Sequence, residues 1–297
     1  MIFNKIRDLA NVHDWDIGFI YSQSEDCYLN QWDIHYVKHQ FRDRWFADPF
    51  ILDATPETIT LLCEEFMYST KKGRIAKVVV NRHSLEIINF KVVLEQNSHL
   101  SFPAYFVENG DVYIYPENSA SGCLNLYYYN TKNESLDIRN VLVKAPLTDA
   151  VIQKFNDHYY IFSTTSNDHK GSGKTIYIYE SDTIDGEYFL YQTIELDDYT
   201  ARGAGHFFSS GGEVIRPAQN CNGGYGLGLV FQKVDFINGK FAIHEVIRRD
   251  PPKRFKGMHT YNVNNGIVVL DFHFLRHPFL NKCFWFLRNI IKRKNHG

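Results

Sequence analysis

Apolar and polar positions alternate along this chain in short runs, and the runs recur as one pattern. Each copy has a small or acidic start, an apolar strand, a tight turn, and a second apolar strand ending in polar residues. It reads "DPFILDATPETITLLCEEF" from Asp48, "FPAYFVENGDVYIYPENS" from Phe102 and "DAVIQKFNDHYYIFSTTS" from Asp149. It returns as "GHFFSSGGEVIRPAQN" from Gly205 and "HTYNVNNGIVVLDFHF" from His259. The turns "ENGD", "FNDH", "SSGGE" and "NNG" carry the Asn, Asp and Gly that hairpins require. Five copies spaced about 45 to 55 residues apart predict an all-β chain, a five-bladed β-propeller of four-stranded blades.

The outer strands fit the same scheme. "GRIAKVVVNR" with "LEIINFKVVL", "CLNLYYYN" with "LDIRNVLV", "KTIYIYES" with "EYFLYQTIEL", and "YGLGLVFQKV" with "KFAIHEVIRR" complete four blades. The fifth copy runs short, and the N-terminal strands "DIGFIYSQ" and "DIHYVKHQ" are expected to finish it, closing the ring. The propeller is assigned to residues 1–275 and a separate tail to 276–297. An irregular β-sandwich is the plainer alternative.

Composition agrees: of 297 residues, 44% are hydrophobic and 15% aromatic, ample for a core and rich in strand-forming side chains. The net charge of −2 gives no global field for nucleic acid. The charge is unevenly placed, however. Residues 276–297 hold six Lys or Arg and no acid, leaving 26 basic against 34 acidic side chains elsewhere. The five scattered cysteines show no C-x-x-C spacing, which argues against a disulfide framework or zinc knuckle. The opening "MIFNKIRDLANVHDWDIG" lacks the uninterrupted apolar core of a signal peptide, and no run reaches the length of a membrane span. A cytoplasmic protein is expected.

In a propeller the innermost strands line a central channel, so matching positions of the copies converge on one mouth. The copy starts contribute Asp48, Ser101, Asp149, His206 and His259. The hairpin returns contribute Glu64, Glu65, Glu117, Thr164, Arg216, Gln219 and Asp271. Asp48, in "RDRWFADPFIL", is expected to face a solvated cavity with Trp45 or Phe46 as a wall. Aromatic walls with fixed carboxylates and amides suit a sugar. Plainer readings stand beside each residue. Asp149 could satisfy backbone donors at a blade corner. Glu64 and Glu65 are adjacent on a strand, so only one can face the channel. Arg216 is a natural ion-pair partner for these acids, and His259 could be a packed channel residue. No H-E-x-x-H, G-x-S-x-G or P-loop pattern is present. No ligand spacing demands a divalent metal, and no metal ligand is assigned.

The motifs "WFADPF", "EEF", "KGRIA", "HLSFPAYF", "YPENSASG", "RPAQNCNGGYG" and "GMHTYN" span about residues 42–272 in order. In this the chain resembles the N-terminal propeller domain of plant glucosamine inositolphosphorylceramide transferases and their bacterial relatives. That domain is similar to the five-bladed propellers of glycoside hydrolase families 43, 32 and 68. The plant members also carry a separate glycosyltransferase domain, which these motifs do not cover. The family 43 resemblance implies Asp48 as general base and Asp149 as the aspartate that orients the acid. The acid itself should be a Glu opening blade four, where this chain has Gly205 and His206. Against family 32, "SFP" stands where Arg-Asp-Pro is expected.

Cleaving an ordinary glycoside needs a proton donor for the leaving oxygen, whereas a departing phosphate is already a stable anion. The missing acid therefore directs the reading to glycosyl transfer from a donor such as a sugar nucleotide. Arg216, His206, His259 and the Gly223–Gly224 turn would bind the anion, and Asp48 would deprotonate the acceptor. Glu117 taking over the acid role would instead give a hydrolase; binding alone would make a glycan scaffold. From about Pro278 a helix would place Phe279, Leu280, Cys283, Phe284, Leu287, Ile290 and Ile291 on one face. Lys282, Arg288, Lys292, Arg293 and Lys294 supply positive charge. Residues 278–294 are thus expected on an anionic membrane surface at the inner leaflet, suiting a lipid-linked glycan, with packing under the propeller as the alternative.

Overall fold

The computed structural model describes residues 12–281 and 283–286. Its strands, in chain order, open with β1 (His13–Tyr21) and β2 (His35–Tyr36). Blade one is β3 (Arg44–Ala54), β4 (Thr58–Met67), β5 (Lys72–Asn81) and β6 (Ile87–Leu94). Blade two is β7 (Tyr105–Glu108), β8 (Asp111–Ile114), β9 (Leu124–Asn130) and β10 (Ser135–Val143). Blade three is β11 (Leu147–Phe155), β12 (His158–Thr165), β13 (Thr175–Ser181) and β14 (Phe189–Glu195). Blade four is β15 (Phe208–Ser210), β16 (Glu213–Asn220), β17 (Gly228–Ile237) and β18 (Lys240–Arg249). Last come β19 (Tyr261–Asn264) and β20 (Ile267–Leu275), which form one sheet with β1 and β2 in the order β19-β20-β1-β2. Five four-stranded antiparallel sheets result among the described residues, a five-bladed propeller.

Ring closure follows the expectation from the short fifth copy. β1 pairs with β20 over nine residues, from His13↔Leu275 to Tyr21↔Ile267. The first and last strands of the described chain are thereby held in one blade, and the exposed edge that an open ring would leave is removed. Apolar clusters lie between neighbouring blades; one joins Phe50, Leu62 and Ile75 to Phe102, Ile114 and Ile152. The first strand of each blade runs away from one mouth and the second returns to it. The ends of β4, β12, β16 and β20 and the starts of β3 and β11 therefore share that mouth.

Two blades break register where the inner strand begins. The β3–β4 ladder skips between Ala47 and Phe50, and the β11–β12 ladder between Thr148 and Val151. At these bulges Asp48 has φ 48° and Asp149 φ 45°, the left-handed region that aspartate tolerates better than most residues. Phe102 takes φ 43° at the corresponding place in blade two. Each bulge turns an amide out of its own ladder and toward the channel.

Residues 278–281 and 283–286 form a short helix. The remainder of the expected amphipathic face (Leu287, Ile290, Ile291) and Lys282, Arg288, Lys292, Arg293 and Lys294 lie outside the described residues.

Candidate active site at the propeller mouth

The freed amides explain how an acid survives among aromatics. Asp48 is buried rather than solvated. Its Oδ2 accepts the Phe102 N–H at 3.0 Å, and its Oδ1 accepts the Thr260 hydroxyl at 3.0 Å. The arrangement passes from blade to blade. The Asp48 N–H donates to Asp271 Oδ2 (3.0 Å), and the Asp149 N–H to Glu117 Oε2 (3.1 Å). Asp149 is met from blade four by Arg202 Nε and Gln219 Nε2, each 2.6 Å from Oδ2. Asp271 also accepts the amides of His259 (3.1 Å) and Thr260 (3.0 Å). Carboxylates of one blade are thus bonded by donors of the next, which offsets their desolvation and fastens the ring.

Burial sets the proton affinities. It pushes the Asp48 carboxyl up to about 6, against the pull of His259 and with a push from Asp149 and Asp271. It likewise raises Asp149 to about 7, against Arg202 and with Glu117. Asp271 moves the other way, because His259 Nδ1 lies 2.8 Å from its Oδ2 and three amides aim at it.

Glu64 differs from the other acids at this mouth. Its Oε1 is buried and makes no hydrogen bond; His99 Nε2 lies 3.2 Å away without suitable alignment. No Lys or Arg pairs with it among the described ion pairs, and burial, reinforced by Asp48, Glu117 and Asp149, holds its carboxyl well above the usual range. Burial without a cation, and with no hydrogen bond at Oε1, thus favours the protonated form of Glu64. Glu117 is an acceptor throughout: Oε2 takes Arg202 Nη2 (3.0 Å) and the Asp149 amide, and Oε1 takes the Ser119 hydroxyl (3.2 Å). Glu117 Oε2 thus has two donors and Oε1 one, whereas Glu64 Oε1 has none.

A cavity of about 640 Å³ opens between blades three and four, lined by Glu117, Lys170, Tyr199, Arg202, Gly224 and Tyr225 among others. Asp48 and Asp149 are not on its wall. Asp149 stands one side chain behind it, at Arg202, and Asp48 stands two behind, at His259 (Nδ1 3.7 Å from Asp48 Oδ1), which itself lies behind Tyr225. Tyr225 caps both, with its ring 5.0 Å from the Arg202 guanidinium and edge-on to His259 at 5.3 Å. His259 is also stacked on Trp15 at 3.9 Å. Trp45 stacks on Phe66 at 4.6 Å and does not line this cavity, while Phe46 packs into the core.

Strand parity and ring closure relocate several expected site residues. Glu65 faces away from Glu64 and is fully buried between Arg44 (2.7 Å) and Arg74 (2.7 Å), an ion-pair anchor for blade one. Arg216 does not serve the acids. It is three residues from Gln219, hence on the opposite face of β16, and bonds Gln232 Oε1 (2.6 Å) and the Ala201 carbonyl. Without a carboxylate partner, burial lowers its pKa to about 9. His206 lies deeper along the channel, against Phe50 and Tyr105 at ring distances of 4.9 and 4.8 Å, and burial lowers it to about 4. Thr164 bonds Thr148 and the Gly171 carbonyl inside blade three. The acids' cation is Arg202. The sequence carried a signal for it, since "ARGAGHFF" opens blade four where a charged residue was sought.

The glycines of that stretch account for the missing glutamate. A Cβ at Gly203 would sit 2.6 Å from the Asp149 carbonyl oxygen. One at Gly205, where φ is +148°, would run into the Tyr261 carbonyl. Blades three and five press against this segment, so no side chain fits. Gly205→Ala is expected to destabilise the fold by about 1–3 kcal/mol, read as a lower urea midpoint at unchanged slope; a neutral result would remove this steric account.

Asp48, His259 and Asp271 bring potential ligand atoms within 4.8 Å of one another, but these atoms already bond each other and nearby amides. The set fits a hydrogen-bonded cluster better than an ion cage.

Fold and mouth together define a five-bladed β-propeller with a ring of buried carboxylates at one mouth. It is similar to a thermostable family-43 glycoside hydrolase (TM-score 0.58, 13% identity, covering 82% of this chain and 89% of that one). It is also similar to a family 43 β-1,3-galactosidase solved with galactodeoxynojirimycin (TM-score 0.54, 10% identity, 75% and 84%). Residues 35–269 match the family described as glucosamine inositolphosphorylceramide transferase 1, N-terminal, and the chain belongs to that family. It is 28% identical over 204 residues to glucosamine inositolphosphorylceramide transferase 1 of Arabidopsis thaliana, covering 65% of this chain and 26% of that protein. The counterpart of Oryza sativa subsp. japonica is 25% identical over 202 residues (66% and 27%). The chain thus spans about a quarter of the length of these relatives.

Proposed function

We propose that this propeller transfers a glycosyl group in the assembly of a cell-surface polysaccharide or glycolipid, with a sugar nucleotide as donor and Asp48 as general base. The observation that carries this reading is that one mouth holds both a buried, oriented carboxylate, Asp48, held by Phe102 and Thr260, and a cation on the cavity wall, Arg202, held by Asp149 and Glu117. Asp48 would take the proton of an acceptor hydroxyl. The acceptor oxygen then bonds the anomeric carbon as the bond to the donor phosphate oxygen breaks, and the phosphate leaves as an anion. Lys170, the Gly223–Gly224 turn and Arg202 are the groups on the cavity wall suited to that anion. The names of the curated relatives, transferases acting on an inositolphosphorylceramide, support the transfer chemistry and a lipid-linked acceptor.

Glu64 favours a second reading, glycoside hydrolysis. A protonated Glu64 beside an ionised Asp48 is a carboxyl pair with divergent proton affinities. Glu64 would protonate the leaving alcohol while Asp48 takes a proton from the attacking water. Calorimetry on wild type, Asp48→Asn and Glu64→Gln with sugar nucleotides and neutral oligosaccharides separates the two. Selective binding of one sugar nucleotide, unaffected by Glu64→Gln, is the expected result. Binding only of neutral glycans, with cleavage lost in Glu64→Gln, would replace transfer by hydrolysis.

A further inference from the structure

We infer that the propeller docks mouth-down on an anionic lipid bilayer, using the rim where the chain leaves β20. The argument begins with where that strand goes. β20 carries Asp271 in the acid ring and runs four residues further to Leu275, about 13 Å along a strand. Arg276 is then pinned to the mouth rim. Its N–H donates to the Val12 carbonyl (3.0 Å) and its Nη2 to the Arg42 carbonyl (2.9 Å), with the guanidinium 5.0 Å over the Tyr68 ring. Val12 precedes β1, Arg42 precedes β3 and Tyr68 follows β4, and all three of those strand ends lie at the mouth. The chain therefore leaves β20 beside the site, at the mouth rim.

The surface at that exit combines aromatics with cations. In the short helix Phe284 is buried, whereas Phe279 is 79% and Phe286 66% exposed. The crossover from blade four to blade five brings exposed Lys253, Arg254 and Lys256 to the same rim, with Asp250 as the exposed acid of that loop. Its Lys256 N–H donates to the His273 carbonyl at 2.7 Å, which lays the crossover directly on β20. In sequence, residues 276–297 hold six basic side chains and no acid, although the whole chain is net negative. Exposed aromatic rings within a field of Lys and Arg match a headgroup layer with negative charge, not the surface of a neutral glycan. Docked this way, the 640 Å³ cavity faces the headgroups. A lipid-linked glycan could then enter without leaving the bilayer, a consequence that rests on the glycosyl-transfer reading.

The test needs no substrate, so its failure is separable from failure of the catalytic reading. Full-length protein is sedimented with vesicles of phosphatidylcholine alone or mixed with phosphatidylglycerol. At least about tenfold stronger binding to the anionic vesicles, weakening as salt is raised, is expected. Phe279→Asp with Phe286→Asp, and separately Lys253→Glu with Lys256→Glu, should each lower it several-fold; all four side chains are exposed, so the fold is not at stake. Hydrogen exchange on the vesicles should protect residues 42–45 and 222–227 at the mouth and leave the far-end turns at 211–212 and 265–266 unchanged. Equal binding to both vesicles, or protection at the far-end turns, would overturn the proposal. So would a stable dimer that hides Phe279 and Phe286, which would make a second copy the occupant.

Discussion

Asp48→Asn is expected to lower turnover by about 10²–10⁴-fold while leaving the fold intact. Asparagine keeps the shape, and its carbonyl oxygen can still accept the Phe102 amide. Its Nδ2 can turn toward the Thr260 hydroxyl oxygen, so both neighbours keep a partner. What it loses is the ability to hold a proton taken from the acceptor. The pH profile provides an independent reading. With Asp48 raised to about 6, wild-type activity should fall as pH drops through 6, because the base becomes protonated. An activity that survives Asp48→Asn, or that keeps rising below pH 5, would remove Asp48 from the chemistry.

Removing the cation that two carboxylates share should have the largest effect on stability. Arg202→Met is expected to cost about 3–5 kcal/mol, because Asp149 and Glu117 would remain buried at the mouth without their counter-charge. The sign of the pH dependence follows from the direction of the shift. Asp149 is raised in the folded state even with Arg202 present, so its contribution is full below the unfolded value near 4 and is lost as pH rises through about 7. Without Arg202 the proton is held more tightly, and the deficit should be larger at pH 8 than at pH 5. Adding Asp149→Asn should recover part of the loss. Urea unfolding of the two variants at both pH values measures this directly; a deficit independent of pH would mean that Arg202 contributes by packing, through Tyr225, and not by charge.

These expectations show how unevenly the site was written into the chain. Asp48 and Asp149 were legible because each opens a copy of a repeat, and a repeat maps equivalent positions onto one mouth whatever the details of packing. Gln219 and His259 were found by the same logic. Ser101 was found one residue early: it sits at the bridge to Glu117, and Phe102 beside it takes the left-handed turn whose amide serves Asp48. For Arg216 and Gln219, strand parity alone was enough to say that both cannot face the channel. Parity could not say which one does.

What the sequence by itself determined is the five-fold hairpin pattern, the closure of the last blade by the N-terminal strands, and the acid that opens blades one and three. Those features are local or periodic, set by alternation, turn residues and copy spacing. The tertiary structure alone decided that Glu64 and not Glu65 turns inward, that Arg202 rather than Arg216 meets the acids, and that His206 sits deeper against Phe50. It alone decided that the carboxylates of one blade are held by donors of the next. The physical reason is that these outcomes depend on two bulges and on the angle at which closed blades meet. Groups 53 to 223 residues apart, such as the Arg202 and Asp149 side chains and the Asp48 amide with the Asp271 carboxylate, become partners only once the ring has closed.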